Sequence, residues 1–336
     1  MVTTKLKLLQ NQLLTNQLFL VFNKHNLYYL TNLWIEGYVL ALTKTKFKIL
    51  TSSMFAGQLR NYFDNKDIIV RNELKQQIDA LNVKSKEVFV DDEDISHKTY
   101  EILTKLFEVK FSPIIKNLRE VKDDTEINRI RQAAKVAKKV LSEIKNVLKP
   151  GITEVEVKNY ILRRFYKYNV EPCFEPIVAF DENTSYPHHI SSNKMYKKNS
   201  LVLVDLGCKW EGYCCDITRM FNVDRNKEVY QKYTVLLELQ KKLISMCKPG
   251  TEVRNIDSYA RQFLKRKGFK DEYLHSTGHG LGLEVHESPR LNIRSDAVLK
   301  EGMVVTIEPG IYFERKFGLR IEDDVLCKKT PEILTL

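Results

Sequence analysis

A short phrase occurs twice in this chain. KPGITEV at 149–155 returns as KPGTEV at 248–253, ninety-nine residues further on. What surrounds the phrase repeats as well. Before the first copy, Ile127, Ile130, Ala133, Ala134, Val136, Ala137, Leu141, Ile144 and Val147 keep an apolar face at helical spacing. Thr125 is placed to cap that helix, and the Pro-Gly of the phrase stops it. After the first copy, Thr153 and Glu156 have the spacing of a capping box, which opens a second helix running to about Tyr168. The second copy sits between two further helical stretches, KEVYQKYTVLLELQKKLISMC and IDSYARQFLKRKG. A strand-rich segment follows each. A repeat of this size is a supersecondary unit that shares one core with its twin. The region from about 120 to 336 therefore reads as a duplication: helix, turn, helix, strands, twice.

The strand segments of both halves carry paired acids. In LVLVDLGCKWEGYCCDITRMF, Asp205 and Asp216 flank a turn. A hairpin with Trp210 and Glu211 at its tip sets them directly across from each other, where Cβ atoms are about 4.5–5.5 Å apart. A three-residue loop using Gly212 shifts that register by one. In VVTIEPGIYFERKFGLRIEDDV, Glu308 and Glu322 are centred on residue 315, again within a turn, although Pro309 and Gly310 interrupt the strand. Two such hairpins bring four carboxylates to one place. Buried together they repel strongly unless cations neutralise them, and two divalent metals do so. HSTGHGLGLEVHE adds His275, His279 and His286 among glycines that allow close backbone approach.

The thiols do not share this logic. Cys173, Cys208, Cys214, Cys215, Cys247 and Cys327 have no CxxC spacing, which excludes zinc-ribbon and thioredoxin readings. Free thiols in a reducing, cytoplasmic compartment are expected. The N-terminal stretch has no signal-peptide pattern, and no apolar run reaches the roughly 18 residues of a membrane span. The net charge of +11 invites a nucleic-acid reading. The lysines are scattered, however, and no basic-aromatic patch or nucleic-acid motif accompanies them, so no nucleic-acid partner is expected. In the first third, QLFLVF, LYYL, FKILTS and KEVFVDD read as strands. SMFAGQLRNYF, NELKQQIDALNV and KTYEILTKLF read as helices. This is a small α/β domain with little chemistry, ending near Leu118 to Val121.

The motifs VDLG with GYCCDITR, STGHGLGLEVHE, TIEPGIY and RIEDDV stand together in the order and spacing of a known family. From about 120 to 336 the chain resembles the pita-bread metallopeptidases (peptidase family M24). The whole chain resembles their branch containing Xaa-Pro dipeptidase (prolidase) and aminopeptidase P; LYYLTNL carries a fainter likeness to the creatinase-type N-terminal domain. The resemblance implies an α/β (α+β) fold: a creatinase-like domain over 1–118 and a pseudo-two-fold pita-bread domain over 119–336. It implies an enzyme, a dinuclear-metal exopeptidase hydrolysing Xaa-Pro bonds with a metal-bridging hydroxide as nucleophile. The implied metal ligands are Asp205, Asp216, His279, Glu308 and Glu322, holding two divalent ions, Mn²⁺ first, with Co²⁺, Zn²⁺ or Fe²⁺ also suited. Glu308 is the implied proton carrier. His188 and His286 match substrate-side histidines, and Arg290 an arginine that binds the substrate carboxylate. Arg320 lies two residues before Glu322 on the same strand face, and Tyr312 is expected in the pocket wall. His189 and His275 receive no assignment beyond a supporting place for His275. A homodimer acting on proline-containing peptides is implied.

Phe180 and Asp181 depart from the small residue and glycine usual in such proteins, and Met220 from a usual threonine. These departures are expected near the pocket and bear on substrate preference. A metal-free hydrolase of the same fold, or a non-catalytic peptide-binding module, is the competing reading; the intact ligand set argues against both.

Overall fold

The computed structural model describes residues 3–15, 17–91 and 95–336. The chain divides into two compact units, Met1–Arg119 and Glu120–Leu336.

In the first unit one sheet holds six strands, in the order Ile68–Val70, Phe47–Thr51, Tyr38–Leu42, Leu18–Val21, Glu87–Asp91, Glu108–Ser112. Leu18–Val21 runs parallel to Glu87–Asp91 and antiparallel to Tyr38–Leu42. Every residue of this central strand is buried, as in a sheet covered on both faces. The strands expected at QLFLVF, FKILTS and KEVFVDD are present; Asp92, at the end of the last, lies outside the described residues. LYYL is helical instead, within Lys24–Thr31. The Asn23 side chain accepts from the backbone of His25 and Asn26, and Asn32 closes the helix in the left-handed conformation at φ 59. Capping at both ends outweighs the strand preference of Tyr28 and Tyr29.

The second unit bears out the repeat. Helices Asp124–Val147 and Glu154–Lys167 form the first pair, Lys227–Met246 and Val253–Arg266 the second. Asp123, not Thr125, caps the first helix. Its carboxylate accepts from Glu126 N at 2.9 Å, and Glu126 accepts from Asp123 N at 2.9 Å. The earlier start places two acids, Asp124 and Glu126, against the positive end of the helix. The box of Thr153 and Glu156 forms as expected. Each helix pair covers strands of its own half. Ala133, Ala137, Ile161 and Phe165 pack on Val178, Val202 and Val204. Leu236, Leu243, Ile256 and Leu264 pack on Val305, Ile307 and Val325. The main sheets are a three-stranded one of Ile217–Phe221, Val202–Leu206 and Ile177–Phe180, and a five-stranded one of Glu287–Leu291, Gly278–Gly280, Val304–Ile307, Asp323–Leu326 and Glu332–Ile333; Tyr213–Cys214, Cys208–Trp210 and Glu171–Pro172 form a small third sheet, and Gly310–Phe313 with Phe317–Arg320 a two-stranded fourth.

The residues that depart from the family pattern are explained by packing. Phe180 is fully buried in the first core, its ring edge-on to Tyr196 at 5.7 Å between centroids. Met220 sits in the second core. Asp181 adopts φ 50, a region where glycine costs nothing. Its side chain accepts from Leu201 N at 2.8 Å and offsets part of that strain. Asp181→Ala, which keeps the strain and loses the bond, should destabilise by about 1–2 kcal/mol. Asp181→Gly, which loses both, should stay close to wild type. Denaturant melts of the two variants check this; an alanine variant as stable as the glycine one refutes the strain account.

Candidate metal centre

Both hairpins deliver their acids to one cavity. In the first, Asp205 pairs with Thr218 and Trp210 with Tyr213. The tip is the two-residue turn Glu211–Gly212, at φ 45 and φ 83, one position beyond the expected Trp210–Glu211. A hairpin turn of this hand needs positive φ at both central residues, which Gly212 adopts freely and Trp210 resists. Asp205 and Asp216 are therefore diagonal across the ladder instead of directly opposite, still on one face. The second hairpin turns around Arg315 at φ 57. Val304–Ile307 pairs with Asp323–Leu326, and Gly310–Phe313 with Phe317–Arg320. The break at Pro309 puts these ladders in different sheets, yet both keep the register in which Glu308 falls opposite Glu322.

His279 enters from the strand Gly278–Gly280. A Cβ on Gly278 would lie 1.9 Å from Thr306 O, and one on Gly280 2.2 Å from Ser288 O. Only glycine lets this strand sit so tightly between its neighbours. His279 pairs across the ladder with Arg290.

Ligand atoms of Asp216, His279 and Glu322 lie within 4.8 Å of one another, and all three residues are buried. His279 Nε2 is 3.5 Å from Glu308 Oε1 and 3.9 Å from Asp216 Oδ2. Its Nδ1 lies 3.1 Å from Gly280 O. The Nδ1–H donates there and leaves the Nε2 lone pair aimed at the carboxylates. Asp205 Oδ1 and Asp216 Oδ1 are buried without a hydrogen-bond partner. Burial first, then the charges of Glu322 and Asp205, push the Asp216 carboxyl well above its ordinary range. Burial, then Glu308 and Asp205, does the same to Glu322. Burial lifts Glu308 to about 7 and lowers His279 to about 3. Orphaned carboxylate oxygens and a bare imidazole lone pair converge at one buried site. This donor set lacks only an acceptor, and a divalent cation is the acceptor it fits.

The cavity has a volume of about 540 Å³, and Asp205, Asp216, His279, Glu308 and Glu322 all line it. So do His188, His286, Arg290, Arg320 and His275, with Phe174, Ile177 and Val285 supplying apolar wall. His286 packs edge-on to His279, 4.4 Å between ring centroids; burial, then the nearby Arg290 charge, lowers its pKa. Phe180, Asp181 and Met220 are absent from the lining, contrary to expectation, because the first and last fill the cores and Asp181 turns toward Leu201. Tyr312 is likewise not part of the wall. It stands behind it, only 3% exposed. Arg320 Nη2 donates to Asp205 Oδ2 at 2.6 Å and Nη1 to the Tyr312 oxygen at 2.9 Å. The Tyr312 hydroxyl is 2.9 Å from His275 Nε2, and His275 Nδ1 is 2.8 Å from Ser276 O. One tautomer satisfies this chain: His275 donates from Nδ1 and accepts from Tyr312.

Three supporting residues were not foreseen. Thr218 Oγ1 donates to Glu322 Oε2 at 2.7 Å and accepts from Arg320 Nε at 3.1 Å. Its place two residues after Asp216 in CCDIT, on the same strand face, is the signal that could have found it. Asp324 Oδ2 accepts from Asp216 N at 3.0 Å. Glu154 binds His189 Nε2 at 2.8 Å, a pairing across 35 residues that no local pattern announces.

With this geometry in hand, the chain can be set beside known proteins. Residues 128–329 match the model of metallopeptidase family M24, and residues 6–121 that of the creatinase/prolidase N-terminal domain. The chain belongs to metallopeptidase family M24. An uncharacterized peptidase of Staphylococcus epidermidis is 34% identical over 307 residues, covering 89% of this chain and 85% of the relative. Among solved structures, an Xaa-Pro dipeptidase from Bacillus anthracis superposes with a TM-score of 0.88 at 30% identity, covering 95% of this chain and 92% of that one. An X-Pro aminopeptidase from Thermotoga maritima gives 0.86 at 30% identity, with 97% of each chain covered. The prolidase from Pyrococcus furiosus gives 0.88 at 29% identity, covering 95% and 96%. The chain thus has the fold of a metal-using peptidase with a creatinase-type N-terminal domain. No helix among the described residues is long and apolar enough to cross a membrane.

The crowding of acids has a thermodynamic signature. Metal-free Asp216→Asn protein should melt above metal-free wild type, because one of the mutually repelling carboxylates is gone. Excess Mn²⁺ should raise the wild-type midpoint substantially and the variant's far less. Thermal melts with and without chelator read both; an equal metal-induced rise in the two proteins would remove Asp216 from the metal site.

Proposed function

We propose that this chain is a dinuclear-metal exopeptidase that hydrolyses Xaa-Pro bonds, as a dipeptidase or an aminopeptidase. The observation that carries the reading is the convergence of four acids from two matched hairpins and one deprotonated imidazole nitrogen in a cavity also lined by His188, His286 and Arg290. Asp205, Asp216, His279, Glu308 and Glu322 would hold two divalent ions, Mn²⁺ first among Mn²⁺, Co²⁺, Zn²⁺ and Fe²⁺. When bound, such a pair supplies Lewis acidity toward the substrate carbonyl and activates water at neutral pH. The chain's own residues do the rest. His188 and His286 donate to the substrate and steady the tetrahedral oxyanion. Arg290, across the ladder from His279, pairs with the carboxylate of a short peptide. Glu308 carries the proton from the attacking water to the departing proline nitrogen. Arg320 holds Asp205 in place through its 2.6 Å bond. Tyr312 acts from behind, fixing Arg320 and His275. The apolar wall of Phe174, Ile177 and Val285 suits the pyrrolidine ring. The similarity to prolidases supports a homodimer, and six free thiols suit a reducing cytoplasm.

The test is Mn²⁺-loaded protein offered an Xaa-Pro dipeptide and an Xaa-Pro-Xaa tripeptide. Cleavage of the dipeptide alone selects a dipeptidase, and release of the first residue from the tripeptide an aminopeptidase. Inertness toward both, with metal shown bound, sinks the Xaa-Pro reading. Replacing Arg290 by Met should raise KM far more than it lowers kcat on the dipeptide, since it removes binding made before the transition state.

A further inference from the structure

Two of the histidines that line the cavity, His188 and His286, share a structural device. Each is followed in sequence by a residue anchored to a buried group of opposite chemistry. After His188 comes His189, whose Nε2 donates to Glu154. After His286 comes Glu287, whose carboxylate meets Lys122 Nζ at 3.2 Å. Glu154 is fully buried, and the Lys122 and Glu287 side chains are 1% and 6% exposed. A group so placed is costly unless its neighbours are fixed around it.

The Glu154 carboxylate is the hub of the segment that carries His188. Oε1 accepts from Phe180 N at 2.7 Å and Asn183 Nδ2 at 2.9 Å. Oε2 accepts from His189 Nε2 at 2.8 Å, Ser192 N at 2.9 Å and Ser192 Oγ at 2.7 Å. These donors lie on both sides of His188 and close residues 180–192 around one point. Glu287 closes a smaller loop around the other histidine. It accepts from Glu284 N at 3.1 Å, and it lies against Gly282, where a Cβ would stand 2.6 Å from the carboxylate. We infer that Glu154 with His189, and Lys122 with Glu287, are positioning pairs, each holding one cavity histidine at its place over the substrate. This rests on the peptidase reading for the histidines' role, but the clamps themselves do not.

The test has an arm for each part. Hydrogen exchange of the whole protein, read by mass spectrometry, needs no substrate. Glu154→Gln should speed exchange within 180–192 and leave 281–287 as in wild type. Lys122→Met should do the reverse, and Lys122→Met with Glu287→Gln serves where an orphaned buried carboxylate prevents folding. Exchange that is unchanged, or raised evenly across the unit, overturns the clamps. In turnover, Glu154→Gln should lose up to about 100-fold in kcat/KM, but little further loss should follow in a His188→Ala background. Equal loss in both backgrounds marks a merely structural role. His189→Gln, whose amide still reaches Glu154 as a donor, should retain activity that His189→Leu loses. Wild-type protein that cleaves no Xaa-Pro peptide removes that reading, while the exchange pattern still decides the clamps.

Discussion

Mutual repulsion of buried carboxylates gathered at one cavity is the condition that the second unit is built to tolerate. Asp205, Asp216, Glu308 and Glu322 cannot all stay ionised at such proximity without a compensating charge. Everything near them bears on that problem. Arg320 takes one oxygen of Asp205, Thr218 one of Glu322, and Thr306 lies 3.4 Å from Glu308. Even so, buried oxygens on Asp205 and Asp216 go unmatched. Hydrophobic packing of the two helix pairs on the strands works against that repulsion, and the core under the second pair also takes in Leu201, Leu203 and Met220 of the first half.

Much of this is legible in the sequence. The repeated phrase located the helix pairs, because Pro-Gly stops a helix and Thr-x-x-Glu starts one by local rules. Period-two spacing located the acids, because strand geometry propagates without knowledge of the partner. What escaped depends on nonlocal or finely balanced choices. The hairpin tip at Glu211–Gly212 differs from the expected one by a single residue, decided by which side chain tolerates positive φ. LYYL became helical because Asn23 and Asn32 cap it, which outweighs the tyrosines. Phe180 and Met220 looked like pocket residues because they neighbour the motifs in sequence, yet alternation along the strands turns them into the cores.

Supporting residues were the hardest to read. Glu154 lies in the repeated phrase itself, where its evident role is to begin a helix. Only the fold shows that the same carboxylate gathers five donors from a segment some thirty residues away. Tyr312 illustrates the converse: proximity to Glu308 in sequence suggested a wall residue, and the structure puts it one layer back, where its hydroxyl links Arg320 to His275.

Thr218 and Glu322 come from different halves of the duplication, as do Arg320 and Asp205. The seam between the repeats is thus stitched by the same polar groups that furnish or brace the candidate metal centre. Ordinarily a protein can adjust the adhesion of two halves in one place and its chemistry in another. Here a single set of atoms answers to both demands. Drift that loosens the seam registers at once as altered chemistry, and retuning of the chemistry is felt as a change in cohesion, so this line of residues has little freedom to evolve piecemeal.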